Sequence, residues 1–153
     1  MQAGRVDSTF GHWLAGFSDG EGCFRIHKGK SGTYYACHFQ IKLRDDDLDI
    51  LAECQRRTRI GNIYRDTPSR QTRNSNPNAT WVVQARAECW KLVSIFDQFP
   101  LRSKKARDYV IWKKALDIWT KMKRGSRWHG PRDWSPMIAL KYELERTRAY
   151  SNV

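Results

Sequence analysis

Residues 14–22 read LAGFSDGEG, and this short stretch decides the fold. It lies at the end of a predicted helix that has Asp7 or Ser8 as its N-cap. The apolar side chains of this helix recur at helical spacing, at Phe10, Trp13, Leu14 and Phe17. Small residues on the same helix let two helix backbones approach closely: Ala15, Gly16, Ser18 and Gly20. The stretch therefore predicts a helix that packs against a copy of itself.

The apolar pattern changes from a helical period to strict alternation directly after this stretch. Alternation over residues 23–43, interrupted by the turn KGKSG, predicts a hairpin with one apolar face and one polar, basic and aromatic face. Residues 60–66 and 80–86 predict a second hairpin with a polar, basic connection. Helices are predicted at residues 45–59, at 87–99, from 105 onwards and at 136–148. We therefore expect an α+β fold.

The charge of the chain indicates a polyanionic partner. Lys and Arg number 28 against 16 Asp and Glu, which gives a formal net charge of +12 and a pI near 9.9. The basic residues run along the whole chain instead of gathering on one amphipathic helix, so nucleic acid is favoured over a membrane surface. A mean hydropathy of -0.75 and the lack of a long apolar run argue against a membrane span.

The location of the protein is expected to be intracellular. The first residues, MQAGRVDSTFGHW, lack the apolar core of a secretory signal. The expected compartment depends on the host: the cytoplasm in a prokaryote, and an organelle or the nucleus otherwise. The 153 residues fit one domain.

Two groups of potential metal ligands have structural interpretations instead. The cysteines Cys23, Cys37, Cys54 and Cys89 show no zinc-ligand spacing and are expected to be reduced and mostly buried. The acidic residues at 45–47 place negative charge at a helix start, where it is favourable. We expect that acidic run to be a solvated helix end.

The stretch LAGFSDGEG resembles the LAGLIDADG motif, and the resemblance extends to the element order of the remaining chain. The leading Leu-Ala-Gly, the Asp at the sixth position, an acid at the eighth and Gly at the ninth are all present. The resemblance implies a LAGLIDADG homing endonuclease fold, αββαββα, with an antiparallel DNA-binding sheet and extra C-terminal helices in one domain over residues 1–153. One motif per chain implies a homodimer through the helix of residues 14–22.

The activity that the resemblance implies is metal-dependent hydrolysis of phosphodiester bonds in double-stranded DNA. Two subunits would straddle a long pseudo-palindromic site and cut both strands across the minor groove. The products would carry short 3′ overhangs, and the breaks would promote intron mobility.

The metal site follows from the acid at the eighth position of the motif, which coordinates the metal ions in the family. The resemblance assigns Glu21 and the adjacent Gly20 to a Mg2+ site that Mn2+ or Ca2+ can also occupy. Glu21 stands where Asp is the commoner residue, and its carboxylate has the same chemistry. We expect glycine-permitted turns on either side to hold Glu21, so that two symmetry-related carboxylates meet beside the two-fold axis. An ordinary helix-end acid is the alternative, and Asp19 is expected to be structural.

The segment LRSKK resembles the place where the family supplies a basic residue that supports the scissile phosphate and its water. We choose Lys104, with Lys105 as the second choice. The alternative is that both lysines begin a helix and face solvent. Gln40 or Lys42 on the second strand is expected to help order water molecules in the active site, which places Gln40 in the catalytic set.

DNA recognition follows from the strand alternation, because a sheet with an outward polar and basic face can lie in a major groove. The predicted reading residues on that face are Arg25, His27, Tyr34, His38, Gln40, Lys42, Asn62, Tyr64, Thr80, Gln84 and Arg86. Arg70 and Arg73 in the connection of the second hairpin are predicted to contact phosphates. A generic solvated strand is the alternative role at each reading position.

Two other functions compete with the endonuclease. A maturase of the same fold would bind its own intron RNA and assist splicing, and it need not keep Glu21. A non-catalytic basic DNA-binding or ribosomal protein would explain the charge but not the motif. The C-terminal segment with Trp128 and Trp134 is expected to pack against the core, with additional DNA contact as the alternative.

Overall fold

The secondary structure follows the predicted order. The computed structural model describes residues 5–32, 34–67, 77–122 and 133–148. Its elements are α1 (Ser8–Glu21), β1 (Gly22–Lys28), β2 (Tyr35–Arg44), a 3-10 turn (Asp45–Asp47), α2 (Leu48–Thr58), β3 (Asn62–Arg65), β4 (Asn78–Val83), α3 (Arg86–Gln98), α4 (Lys105–Met122) and α5 (Ser135–Arg148). This arrangement confirms the predicted α+β class.

Helix α1 begins and ends where the sequence predicts. The Asp7 carboxylate caps the helix by accepting a hydrogen bond from the Phe10 N–H at 2.9 Å. The chain then becomes extended at Gly22, whose N–H donates to the Ser18 carbonyl. Helix α1 therefore leads into β1 without an intervening loop.

The described strands form one antiparallel sheet in the order β1-β2-β4-β3. Phe24 of β1 lies opposite Phe39 of β2, and Ile41 of β2 lies opposite Trp81 of β4. All four of these side chains are fully buried. Alternation along each strand thus places one face of the sheet against the helices and leaves the other outward, as the sequence predicts.

An aromatic cluster joins the sheet to the helices. The Phe24 ring lies 4.9 Å from Phe39, 5.2 Å from Trp112 and 5.6 Å from Tyr109, measured between ring centroids. The Trp112 indole N–H donates to the carbonyls of Arg25 and His38, which belong to neighbouring strands. Burial of such large side chains stabilises the fold by about 1.5–3 kcal/mol for each one. Tyr109, Trp112 and Trp119 of α4 are thus part of the core.

The second arm of the second hairpin ends earlier than predicted. Strand β4 stops at Val83, Ala85 is the N-cap of α3, and Arg86 is the first residue of that helix. The Arg86 guanidinium lies over the Trp119 ring of α4, 4.2 Å from its centroid. The prediction that Arg86 reads bases from a strand is therefore wrong, because helix initiation interrupts the alternation. Arg70 and Arg73 lie outside the described residues.

Helix α5 packs against the core, as expected for the C-terminal segment. Met137 and Leu144 are buried, and the Trp134 ring lies 5.9 Å from the Tyr35 ring. Trp128 lies outside the described residues. None of the helices in the described ranges is long and apolar enough to span a membrane.

The cysteines are free thiols, as predicted. Cys37, Cys54 and Cys89 are buried, and burial raises the pKa of each thiol. No cluster of three or more His, Cys, Asp or Glu side chains suited to a metal ion occurs among the described residues.

Candidate functional site

Glu21 occupies the last position of α1 and is exposed. Within the described residues, its carboxylate takes part in no hydrogen bond or ion pair. An acid at a helix C-terminus faces the negative end of the helix dipole and gains nothing from it. Glu21 is thus an unpaired negative charge in a strongly basic chain, directly before the first residue of the sheet.

Gly22 sets the position of Glu21 because the space around Gly22 has no room for a side chain. A Cβ atom at Gly22 would lie 2.7 Å from the Ser18 carbonyl oxygen and 2.8 Å from the Phe39 ring. The backbone φ of Gly22 is -71°, which any residue can adopt, and Gly20 has ordinary helical backbone geometry within α1. The expected explanation, a glycine-permitted turn on either side of Glu21, is therefore wrong. The absence of a side chain lets the helix end meet the core face of β2.

Asp19 joins the end of α1 to the segment before α4. Its carboxylate accepts hydrogen bonds from the backbone N–H groups of Arg102 and Ser103, and from the Ser103 hydroxyl at 2.7 Å. Partial burial by itself raises the pKa of the Asp19 carboxyl, but the hydrogen bonds from Ser103 and Arg102 outweigh it and lower the pKa. Asp19 has the structural role that we expected, and Ser103 is a partner that the sequence analysis missed.

The Asp19 contact places one lysine beside the helix end. The Lys105 ammonium donates to the Gly22 carbonyl, one residue from Glu21. Lys104 is exposed, and its carbonyl accepts the first backbone hydrogen bonds of α4 from Arg107 and Asp108. The structure therefore brings Lys105, our second choice, to the motif, and it leaves the Lys104 side chain in solvent.

The two sides of α1 differ in what covers them. On one side, Phe99 packs so closely that a Cβ atom at Gly11 would lie 2.2 Å from its ring. On the other side, Trp13 is 40% exposed and stacks on Phe17 with 4.9 Å between ring centroids. A Cβ atom at Gly16 or Gly20 would meet nothing within 4 Å. The described residues of this chain therefore give no packing reason for glycine at these two positions.

The outward face of the sheet carries most of the predicted reading residues. Those that lie on strands and point away from the buried face are Arg25, His27, His38, Gln40, Lys42, Asn62, Tyr64 and Thr80. Tyr34 precedes β2 and is 47% exposed. Gln84 follows β4, and its amide donates to the Tyr64 hydroxyl at 3.3 Å. The strand alternation thus assigned this face correctly, apart from Arg86.

The strand register sets these side chains in rows across the sheet. Gln40 lies opposite Val82, which in turn lies opposite Asn62, and Lys42 lies opposite Thr80 in the next row. A cleft of about 260 Å3 on this face is lined by Gln40, Tyr64, Arg65, Asp66, Thr67, Thr80 and Val82. Amide, hydroxyl and basic groups in such rows match the donors and acceptors of base edges in a major groove.

His38 is uncharged at neutral pH. Burial, with the nearby charges of Arg25 and His27, lowers the pKa of its imidazole from 6.5 to about 4. The rings of His27 and His38 lie 5.7 Å apart. A neutral imidazole has one donor and one acceptor nitrogen, so His38 can make either kind of hydrogen bond to a base edge.

Comparison with known proteins supports the motif. The profile of the LAGLIDADG endonuclease family matches residues 14–116. The chain is 34% identical over 113 residues to the Probable intron-encoded endonuclease Cox1-I1b of Schizosaccharomyces pombe, covering 72% of this chain and 28% of that protein. It spans between 21% and 28% of the length of the curated relatives that it matches.

Solved structures share the fold. The LAGLIDADG meganuclease I-AabMI, crystallised with uncleaved DNA, is 27% identical, with a TM-score of 0.62 over 74% of this chain and 38% of that chain. The homing endonuclease I-TnaI is 20% identical, with a TM-score of 0.65 over 90% of this chain and 95% of that chain. At 20% identity, the similarity to I-TnaI shows a shared fold and nothing more.

The low pKa of His38 predicts how stability depends on pH. The unfolded chain binds a proton at this site near pH 6.5, whereas the folded chain does so only near pH 4. The stabilising contribution is therefore complete above pH 6.5 and is lost as the pH falls through 4. Urea unfolding of the wild type between pH 4 and 7 should show a steeper decline toward acid than unfolding of His38→Gln. An NMR titration midpoint of the His38 imidazole at 6.5 or above would contradict this prediction.

Proposed function

This chain belongs to the LAGLIDADG endonuclease family, and we propose that it is a sequence-specific homing endonuclease that hydrolyses phosphodiester bonds in double-stranded DNA. The observation that carries the proposal is the unpaired Glu21 carboxylate at the end of the motif helix, beside Lys105 and directly before a basic sheet face. A chain that only bound nucleic acid would have no need of an unpaired acid there. In the proposed reaction both strands of a long pseudo-palindromic site are cut to leave short 3′ overhangs, which promotes intron mobility.

The sheet is proposed to bind DNA in the major groove through its outward face. Arg25 and Lys42 suit the acceptors of guanine, and Gln40 suits adenine. Arg25 and Lys42 have no acidic partner among the described residues, so both cations are available to a polyanion. The net charge of +12 steers the protein toward DNA from a distance.

The residues at the end of α1 fit half of a divalent-metal site. Glu21 supplies one hard carboxylate oxygen donor and Gly20 a backbone carbonyl, which suit Mg2+, Mn2+ or Ca2+. Because no larger ligand cluster occurs among the described residues, one chain holds too few donors. A second Glu21 across a two-fold axis would complete the set. When bound, a divalent ion activates the attacking water and stabilises the leaving oxygen.

Lys105 is proposed to hold the scissile phosphate. Its ammonium is directed to the Gly22 carbonyl, and Asp19 fixes the backbone two residues before it. A cation held in that position stabilises the additional negative charge of the phosphorane-like transition state. Gln40 is further along the outward face and is proposed to orient water.

The acid is tested by Glu21→Gln. We expect DNA binding within about tenfold of the wild type and loss of cleavage, because the amide keeps the shape but loses the charge that holds a metal ion. The assay is cleavage of a randomised duplex library with Mg2+, with an EDTA control. Sequencing of the product ends shows whether both strands are cut and where. Glu143→Gln on α5, an exposed acid outside the site, is the control and should cut normally. Robust cleavage by Glu21→Gln would overturn the assignment of Glu21 as the metal-binding acid. Binding without cleavage by the wild type would favour the maturase.

The two lysines are compared by Lys105→Met and Lys104→Met. Removing the Lys105 ammonium should lower kcat by about 100-fold, since a single donor to a developing oxyanion is worth about 10²–10³ in rate. Lys104→Met should leave kcat within about threefold of the wild type, because its side chain lies in solvent. Single-turnover cleavage at saturating protein separates this effect from DNA binding. The opposite ranking would restore Lys104 as the catalytic lysine.

A second copy of the chain is proposed to cover the exposed side of α1. Trp13, Gly16, Phe17 and Gly20 form that side, which we call the α1 stripe. Its aromatic pair gains by burial, and its glycines allow close backbone approach. The same contact brings two Glu21 carboxylates together. The curated relatives are longer than this chain, so a second domain of one longer protein is the other possible occupant.

The α1 stripe is tested by Gly16→Leu. The bulk of leucine should separate the two helices and shift the wild-type dimer to monomer at micromolar concentration in sedimentation equilibrium. Ala87→Leu, which adds similar bulk at an exposed helical position, should leave the dimer intact. A wild-type chain that is monomeric throughout would overturn the homodimer, and a dimeric Gly16→Leu would show that the interface lies elsewhere.

A further inference from the structure

A basic cleft lies between the free edge of β1 and helix α5. It has a volume of about 280 Å3, and its polar and charged lining comprises Arg25, His27 and Lys28 from β1 and Lys141, Glu145 and Arg148 from α5. Arg25 and His27 belong to the outward face of the sheet, so the cleft opens beside that face. Residues 14–116 match the endonuclease family, and the α5 half of the cleft lies beyond them.

Helix α5 is held firmly in this place. The Arg148 guanidinium donates to the Phe24 carbonyl at the free edge of β1 and pairs with the buried Asp108 of α4 at 3.4 Å. The Thr147 hydroxyl donates to the same carboxylate at 3.1 Å. Arg148 is held by the buried Asp108 and by the Phe24 carbonyl, whereas within the described ranges Lys141 pairs only with the exposed Glu145, so Lys141 is the α5 cation that a ligand in the cleft can engage.

The width of the sheet brings the DNA backbone to this edge. Three spacings of about 4.8 Å separate the outer strands, which gives a sheet about 14 Å wide. The major groove is about 12 Å wide. A sheet that lies in the groove therefore has its edge strands against the phosphate backbones. On the β1 side, the structure at that edge is the basic cleft.

We propose that this cleft binds a phosphate of the DNA backbone between Lys141 of α5 and Lys28 of β1, while Arg25 at its rim remains on the base-reading face. The inference rests on the proposed DNA-binding function and adds α5 to it. Arg25 and Lys28 have no acidic partner among the described residues, whereas Lys141 pairs with Glu145 one helical turn away. A phosphate competes with Glu145 for the Lys141 ammonium, so Glu145 opposes binding.

The first test measures the salt dependence of binding to a duplex of arbitrary sequence of about 40 base pairs, because a phosphate contact is independent of sequence. Each subunit of the proposed homodimer has one cleft, so Lys141→Ala should reduce the slope of log K against log salt by about 0.9 per subunit, or about 1.8 for the dimer, and weaken binding by roughly 60-fold at about 0.1 M salt. Lys121→Ala is the matched control, because Lys121 of α4 pairs with Asp117 one helical turn away. This variant should leave the slope unchanged. An unchanged slope for Lys141→Ala would overturn the inference.

The second test reverses the sign of the effect. Glu145→Gln removes the competing carboxylate and should strengthen binding to the same duplex, whereas simple loss of the helix ion pair would move both variants in one direction. Weaker binding by Glu145→Gln would therefore overturn the cleft. If the wild type itself binds the duplex without a salt slope, the proposed function fails. If the wild type binds and Lys141→Ala behaves like it, only the role of α5 fails.

Discussion

The close approach of Gly22 to the Phe39 ring positions the motif helix, the first strand and the candidate site. With no side chain at Gly22, the end of α1 reaches the core face of β2 and passes directly into β1. That close approach sets Glu21 at the rim of the sheet and presents the Gly22 carbonyl to Lys105. Any larger residue would have to displace either the Ser18 carbonyl or the ring. The acid, the lysine and the first strand are therefore positioned by one steric condition.

The aromatic core makes this arrangement rigid. Phe24 lies two residues after Gly22 on the same face of β1. Its ring contacts those of Phe39, Phe96, Tyr109 and Trp112. Interiors packed this tightly transmit strain instead of absorbing it, so the sheet and α4 act as one unit. The outward face can then carry polar and charged groups in fixed rows, because the buried face alone maintains the fold.

The two sides of helix α1 differ in what covers them within the chain. One side is closed by Phe99 and by the hydrogen bonds from Ser103 and Arg102 to Asp19. The other side exposes Trp13, and a Cβ atom at Gly16 or Gly20 would meet nothing within 4 Å among the described residues. One carboxylate alone provides too few ligands for a divalent ion, and the proposed second motif helix would supply another carboxylate and cover the exposed side of α1.

The sequence by itself determined the elements and the two faces of the sheet, because hydrophobic periodicity and capping are local properties. It placed the cap of α1 at Asp7 or Ser8 and its end near Glu21, and it identified the outward strand residues and the motif with its acid. The choice between Lys104 and Lys105 required the folded chain, because the Lys105 ammonium donates to the Gly22 carbonyl, 83 residues away, whereas Lys104 is exposed. The tertiary structure also placed α5 at the free edge of β1. These outcomes depend on long-range packing, which no local pattern encodes.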